Sequence, residues 1–319
     1  MHIPDGFIDV KTAVAGGTLA AMGLGFAIRK LKRDFPTSRV PLIGLTAAFI
    51  FAAQMLNFPV AGGTSGHLIG ATLAVILIGP YAAILAMSAV LILQCLMFAD
   101  GGLTALGANI FNMGIVATVS STVIYQLIFR LLGDSLRSRL TAAAFAAWCS
   151  TILTSIACAA ELAISGTVDW NLAFPAMSGI HALIGIGEAL ITTLIVVAVA
   201  RLRPDLLAIH DNSRIGYKYI LTFGIIISCA LVIFIAPLAS SWPDGLEKVA
   251  ENLGFMQKTS ETPILNSPLP DYQTPGIGSE SFSTIIAGLI GVVAVFCLSY
   301  LLALALTPAN KTANQSVRQ

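Results

Sequence analysis

The chain has 319 residues, of which 56% are hydrophobic and only 10% charged, with a mean hydropathy of +0.87. Ordinary soluble domains carry about a quarter charged residues, so a water-soluble globule is excluded. The net charge of +1, from 17 basic and 16 acidic residues, offers no basic excess for a nucleic-acid partner.

The chain opens Met1-His-Ile-Pro-Asp-Gly6, polar and turn-like, with no charged segment ahead of the first apolar run. A cleaved signal peptide is therefore not expected, and the bulky second residue, His2, should keep Met1 in place as the N-terminus. A bilayer crossing needs about 20 mostly apolar residues. Nine candidate spans follow, at roughly 12–28, 41–57, 67–79, 81–98, 105–129, 140–163, 179–200, 216–238 and 283–306, which predicts an all-α polytopic bundle. The third is short, and Gly79-Pro80 separates it from the fourth as a tight turn.

The first span carries Ala13, Gly17, Ala21 and Gly25 at four-residue spacing, a pattern that lets helix backbones approach closely. Packing inside the chain is the expectation, and a smooth face for another subunit is the alternative. Gln54 and Asn57 place amides near the end of the second span, Pro59 stops the helix, and Gly62-Gly63-Thr64-Ser65-Gly66 turns the backbone toward His67. This stretch reads as a binding loop in which Gln54, Asn57, Thr64 and Ser65 orient His67 through its second ring nitrogen, against the alternative of an ordinary surface loop. The five cysteines lie in apolar stretches without metal-type spacing and read as buried small hydrophobes.

Farther along, Glu161 and Glu188 fall inside spans. Glu161 is expected to reach the interface. Glu188, two turns after His181, is expected to hold the bundle together rather than take part in a conformational or proton-linked step. His181 is a further ligand or supporting candidate, whereas His210, in the basic linker Arg201 to Lys218, has no expected role. Residues 239–281 are rich in Pro, Ser, Glu and Gly and form a polar loop. A seven-span body, residues 1–205, is joined by that linker to a two-span appendage, residues 206–319, which holds this loop between its spans and whose last segment from Pro308 reads as a frayed tail.

With the N-terminus outside, all basic residues except Lys11, Lys248 and Lys258 fall on the inner side, as the positive-inside rule requires. The C-terminus is then inside and loop 239–281 outside.

HExxH, Walker A, GxSxG and dinucleotide glycine motifs are all missing from the sequence, so neither a hydrolase nor an ATPase is indicated. His2 offers different chemistry. The Met1 α-amine, the deprotonated His2 amide nitrogen and the His2 imidazole can close fused five- and six-membered chelate rings on one ion. A fourth nitrogen from His67 would complete a planar set suited to Ni(II), or to Co(II) in another geometry. Copper would bind the same nitrogens more tightly. The rivals are an integral-membrane metalloenzyme, which lacks its HExxH-like carboxylate here, and a scaffold in which both histidines are structural.

The opening Met-His-Ile-Pro-Asp-Gly-Phe, the stretch Gln54-Met-Leu-Asn-Phe-Pro-Val with Gly63-Thr-Ser-Gly-His67, and His181-Ala-Leu-Ile-Gly-Ile-Gly-Glu-Ala together resemble the CbiM/NikM substrate-binding (S) components of energy-coupling factor transporters for cobalt and nickel. Pro243-Asp244-Gly245-Leu246-Glu247 resembles the PDGLE accessory component, similar to NikN, often fused to the nickel branch. The resemblance implies ligation by Met1, His2 and His67. It also implies a transmembrane coupling (T) subunit and two cytoplasmic ATPases as partners, in a prokaryotic cell (inner) membrane, with Ni(II) or Co(II) as cargo and no organic cofactor. Nickel is the expectation, and cobalt import for cobalamin synthesis is the alternative.

Overall fold

The computed structural model describes residues 1–207, 217–260 and 264–307. The apolar runs become helices wherever a cap or a breaker bounds them. Helix α1 (Val10–Asp34) starts where the Asp9 carboxylate accepts the Thr12 amide at 2.9 Å and stops at Phe35-Pro36. Helix α2 (Val40–Gln54) is followed by strands β1 (Phe58–Val60) and β2 (Thr64–Gly66), an antiparallel hairpin pairing Phe58 with Gly66 and Val60 with Thr64. Its turn is made possible by Gly62 and Gly63, both at positive φ. Short α3 (Ala71–Ile78) and long α4 (Pro80–Phe98) meet at Gly79.

Helices α5 (Leu106–Leu132), α6 (Leu136–Ile164), α7 (Trp170–Leu202) and α8 (Lys218–Leu238) follow, then α9 (Gly245–Leu253) in the polar segment and α10 (Glu280–Leu306). Seven of the described helices, α1, α4 to α8 and α10, are long and apolar enough to cross a membrane. The two other expected spans, 41–57 and 67–79, differ from the sequence reading: α2 has 15 residues and α3 has 8. Both are buried along almost their whole length, so neighbouring helices replace the lipid contact that a full span would make. His210, part of the linker and the tail from Pro308 lie outside the described residues.

The last two spans pack directly on α2. A side chain at Gly291 would collide with Phe51 and Phe98, one at Gly44 would press on Phe296 and Tyr300, and one at Gly224 would press on Leu45. Glycine lets these backbones close without a side chain between them.

The small residues of α1 divide differently from expectation. Gly16, Ala20 and Ala27 are the buried small residues of this helix, beside Thr12 and Leu31, with Gly16 against Ala108. Ala21 and Gly25 are exposed, and a side chain added at Gly17 or Gly25 would meet nothing within 4 Å. The stripe Ala13, Gly17, Ala21, Gly25 therefore drifts outward along the helix, because its strict four-residue step overshoots the 3.6-residue turn.

Candidate metal centre

The N-terminal segment is held in the bundle by apolar burial and side-chain hydrogen bonds. Ile3 and Phe7 are fully buried. Asn109, on α5 just before the π-helical turn Ile110–Val116, accepts the Ile3 amide at 2.8 Å and donates to its carbonyl at 3.1 Å. The Asp5 carboxylate accepts the Thr104 amide and hydroxyl at 2.8 and 2.5 Å. The Asp5 carbonyl accepts the Ser260 amide at 2.9 Å, and Phe7 meets Phe255 edge-on, so the polar segment between α8 and α10 covers the N-terminus. At Gly6, φ is +95°, and any side chain there would strike the Lys258 carbonyl.

These anchors leave the Met1 α-amine buried, 2.9 Å from His67 Nε2. The other ring nitrogen, Nδ1, lies 3.1 Å from the Leu68 carbonyl, which accepts only. The proton therefore sits on Nδ1, and the Nε2 lone pair faces the amine. Burial, with the neighbouring α-ammonium adding to it, pushes the His67 imidazole down to about 3, so the ring is neutral at ordinary pH.

The expected orienting groups are not those that hold His67. Gln54 donates to the Ile69 carbonyl at 2.8 Å. The Thr64 hydroxyl donates to the Pro243 carbonyl at 3.1 Å, and Ser65 donates to the Trp242 carbonyl at 2.7 Å while its amide pairs with Pro243. The Asn57 carbonyl accepts the Ser240 amide. Being the free edge of a two-stranded hairpin, β2 presents backbone and hydroxyl groups that the Trp242-Pro243 segment satisfies.

The same segment brings Asp244 onto the amine: Oδ2 stands 2.5 Å from Met1 N. Oδ1 accepts the Leu246 and Glu247 amides, both at 2.8 Å, in a capping box completed by Glu247, so the carboxylate is fixed by the start of α9. Burial alone would raise this carboxyl, but the Met1 ammonium and the cap donors hold it well below the usual range. Gly245 lies against Ile184 and His181, with no room for a side chain, and Leu246 is fully buried.

The His2 imidazole stacks on His67 with centroids 5.3 Å apart. Its Nδ1 is 3.0 Å from Asp100 Oδ1 and its Nε2 is 3.3 Å from Gln94 Oε1. Behind these, Tyr272 donates to Asp100 at 2.5 Å and accepts from Gln94 at 3.1 Å. The nitrogen that would close a six-membered ring with the His2 amide, Nδ1, is thus engaged by the Asp100 carboxylate, while the Gln94 contact at Nε2 is compatible with ligation through Nδ1. Among the described residues no group of three or more His, Cys, Asp or Glu side chains is placed to hold a metal. A donor set built on the chain's own amine and amide nitrogens would not form such a group.

His181 lines the same small cavity as Met1, His67 and Asp244, but its Nδ1 is engaged by the Met177 carbonyl at 2.8 Å. Glu188 accepts the Ile69 and Gly70 amides at 2.6 and 2.9 Å, pinning the backbone just after His67. Glu161, expected to reach the interface, is turned into the protein instead. It is buried and accepts from Asn112 at 2.6 Å. Glu188→Ala would strand two buried N–H groups and should cost roughly 2–6 kcal/mol. Thermal unfolding in detergent checks this, and an unchanged midpoint would remove the structural role. Asp100, Gln94 and the contact of Asp244 with Met1 had no signal in the sequence, since the partners lie about a hundred or more positions apart.

Residues 2–206 match the family model described as the cobalt uptake substrate-specific transmembrane region, and residues 218–308 match the PDGLE domain. A putative fused nickel transport protein NikMN of Archaeoglobus fulgidus is 40% identical over 95% of this chain and 98% of its own. The fused nickel transport protein NikMN of Rhodobacter capsulatus is 27% identical over 92% and 95%. A crystal structure of a transition metal transporter, 31% identical, superposes with a TM-score of 0.58 over 69% of this chain and 99% of that one.

Proposed function

We propose, from the premise that the chain belongs to the cobalt uptake substrate-specific transmembrane family, that it captures Ni(II) in preference to Co(II) for an ATP-driven energy-coupling factor importer. The coarser statement stands by itself: the chain is a multi-pass membrane protein and a nickel or cobalt transport component, not an enzyme. In the proposed reading residues 1–205 carry the metal, residues 206–319 form an accessory domain, and the N-terminus faces outward. A transmembrane coupling subunit and two cytoplasmic ATPases supply the energy, as the family resemblance implies.

The observation that carries the reading is the buried 2.9 Å approach of Met1 N to His67 Nε2. Two nitrogens each about 2.0–2.1 Å from one ion, at a right angle, stand about 2.9 Å apart. With its Nδ1 turned to the Leu68 carbonyl, His67 directs Nε2 at the amine, where its lone pair can serve as a donor. The His2 amide nitrogen follows one residue after the amine, and the imidazole joins through Nδ1 once that nitrogen leaves Asp100. All-nitrogen donors with an amidate suit planar Ni(II), and the fused relatives are named as nickel transport proteins.

The expected result after exposing purified protein to equimolar Ni(II) and Co(II) is one nickel per chain by elemental analysis. Cobalt in its place would keep the site and reverse the choice of ion, a second reading favoured by the description of the matching family model.

A further inference from the structure

Within the Pro243–Glu247 motif, Asp244 is the one side chain that reaches the N-terminal nitrogen donors. Capping α9 would require only one of its oxygens, and Oδ1 does that alone. Oδ2 is left over, held rigidly at 2.5 Å from the Met1 amine inside a cavity shared with His67 and His181. The segment that carries it is locked from below by Ser65 and by the fit of Gly245 over Ile184 and His181. So the carboxylate is a fixed part of the cavity wall rather than a passing surface charge.

A divalent cation seated between Met1 and His67 would place net positive charge in a buried, largely apolar space. That placement is costly unless a negative group lies beside it. Histidine and amine donors are neutral, and one amidate cancels only half of a doubly charged ion. Two carboxylates lie beside the nitrogen donors, Asp100 on the His2 ring and Asp244 on the amine, and Asp244 is the one whose helix cap holds it in place as the amine changes partner.

We infer that Asp244, contributed by the C-terminal domain, is part of the metal site of the N-terminal domain, where its carboxylate supplies the counter-charge that retains a divalent transition-metal cation between Met1 and His67. The fusion of the two domains then completes a binding site. This rests on the amino-terminal chelate proposed above. The opposite role, a carboxylate that merely competes with metal for the amine, predicts the opposite sign when it is removed.

Asp244→Asn and Asp244→Ser separate charge from folding, because Asn and Ser cap helix N-termini about as well as Asp. In the full chain with a native N-terminus, Ni(II) affinity is read by competition with a chromophoric chelator, and circular dichroism reports retention of the helices. Both variants should keep their helicity and bind Ni(II) about tenfold or more weaker, since a fixed charge is lost beside a cation. Unchanged or tighter binding in either helical variant would overturn the inference. The same titration on a chain extended by one residue before Met1 separates the two levels. Binding lost there but unchanged in Asp244→Asn would sink only the role of Asp244, whereas full binding in the extended chain would sink the chelate itself.

Discussion

A single glycine placed ahead of Met1 is expected to reduce Ni(II) affinity by at least about a thousandfold, or about 4 kcal/mol. The extension turns the terminal amine into an amide and moves the free amine one residue away from His67. It also has nowhere to go. Met1 N lies in a small cavity closed by Gly66, Ile69, Ile184, Asp244 and Gly245, and the segment behind it is pinned through Ile3, Asp5 and Phe7. The buried ion pair with Asp244 is broken at the same time, which should lower the stability of the metal-free protein by about 3–5 kcal/mol. Competition titration and thermal unfolding of the two forms check both parts. Proteolytic removal of the glycine should restore binding, and full affinity with the glycine present would sink the amino-terminal geometry.

The apolar spans were legible because composition and length dictate them, and their ends were legible where Pro, Gly or a capping residue stands, as at Phe35-Pro36 and Gly79-Pro80. The short reach of α2 was not, since a run of apolar residues looks the same whether lipid or protein surrounds it, whereas that of α3 showed in the brevity of its apolar run. His2 and His67 could be singled out by type and position, and the structure brings their rings together. What the residues around them do depends on long-range packing. Thr64 and Ser65 read as partners of His67 because they are near in sequence, yet the strand edge they occupy is satisfied by Trp242 and Pro243. Asp244 read as a marker of the accessory domain, and only the fold places it on the first residue of the chain.

His67→Ala should weaken Ni(II) binding by about a hundredfold, close to 3 kcal/mol, while leaving the protein folded. The side chain makes one hydrogen bond to the Leu68 carbonyl, one contact with the Met1 amine and one stack on His2. Its backbone is held by other groups: Ser65 pairs with Pro243 on one side, and Glu188 grips Ile69 and Gly70 on the other. Position is therefore preserved while one nitrogen donor is lost. The loss should be smaller than for the N-terminal extension, because the amine, the amide and the His2 imidazole still form a three-point chelate. Titration of the variant gives the affinity, and unfolding of the metal-free form gives the stability. Equal affinity in His67→Ala and the parent would move the fourth ligand to His181, the other imidazole lining the cavity, and His181→Ala would then carry the loss.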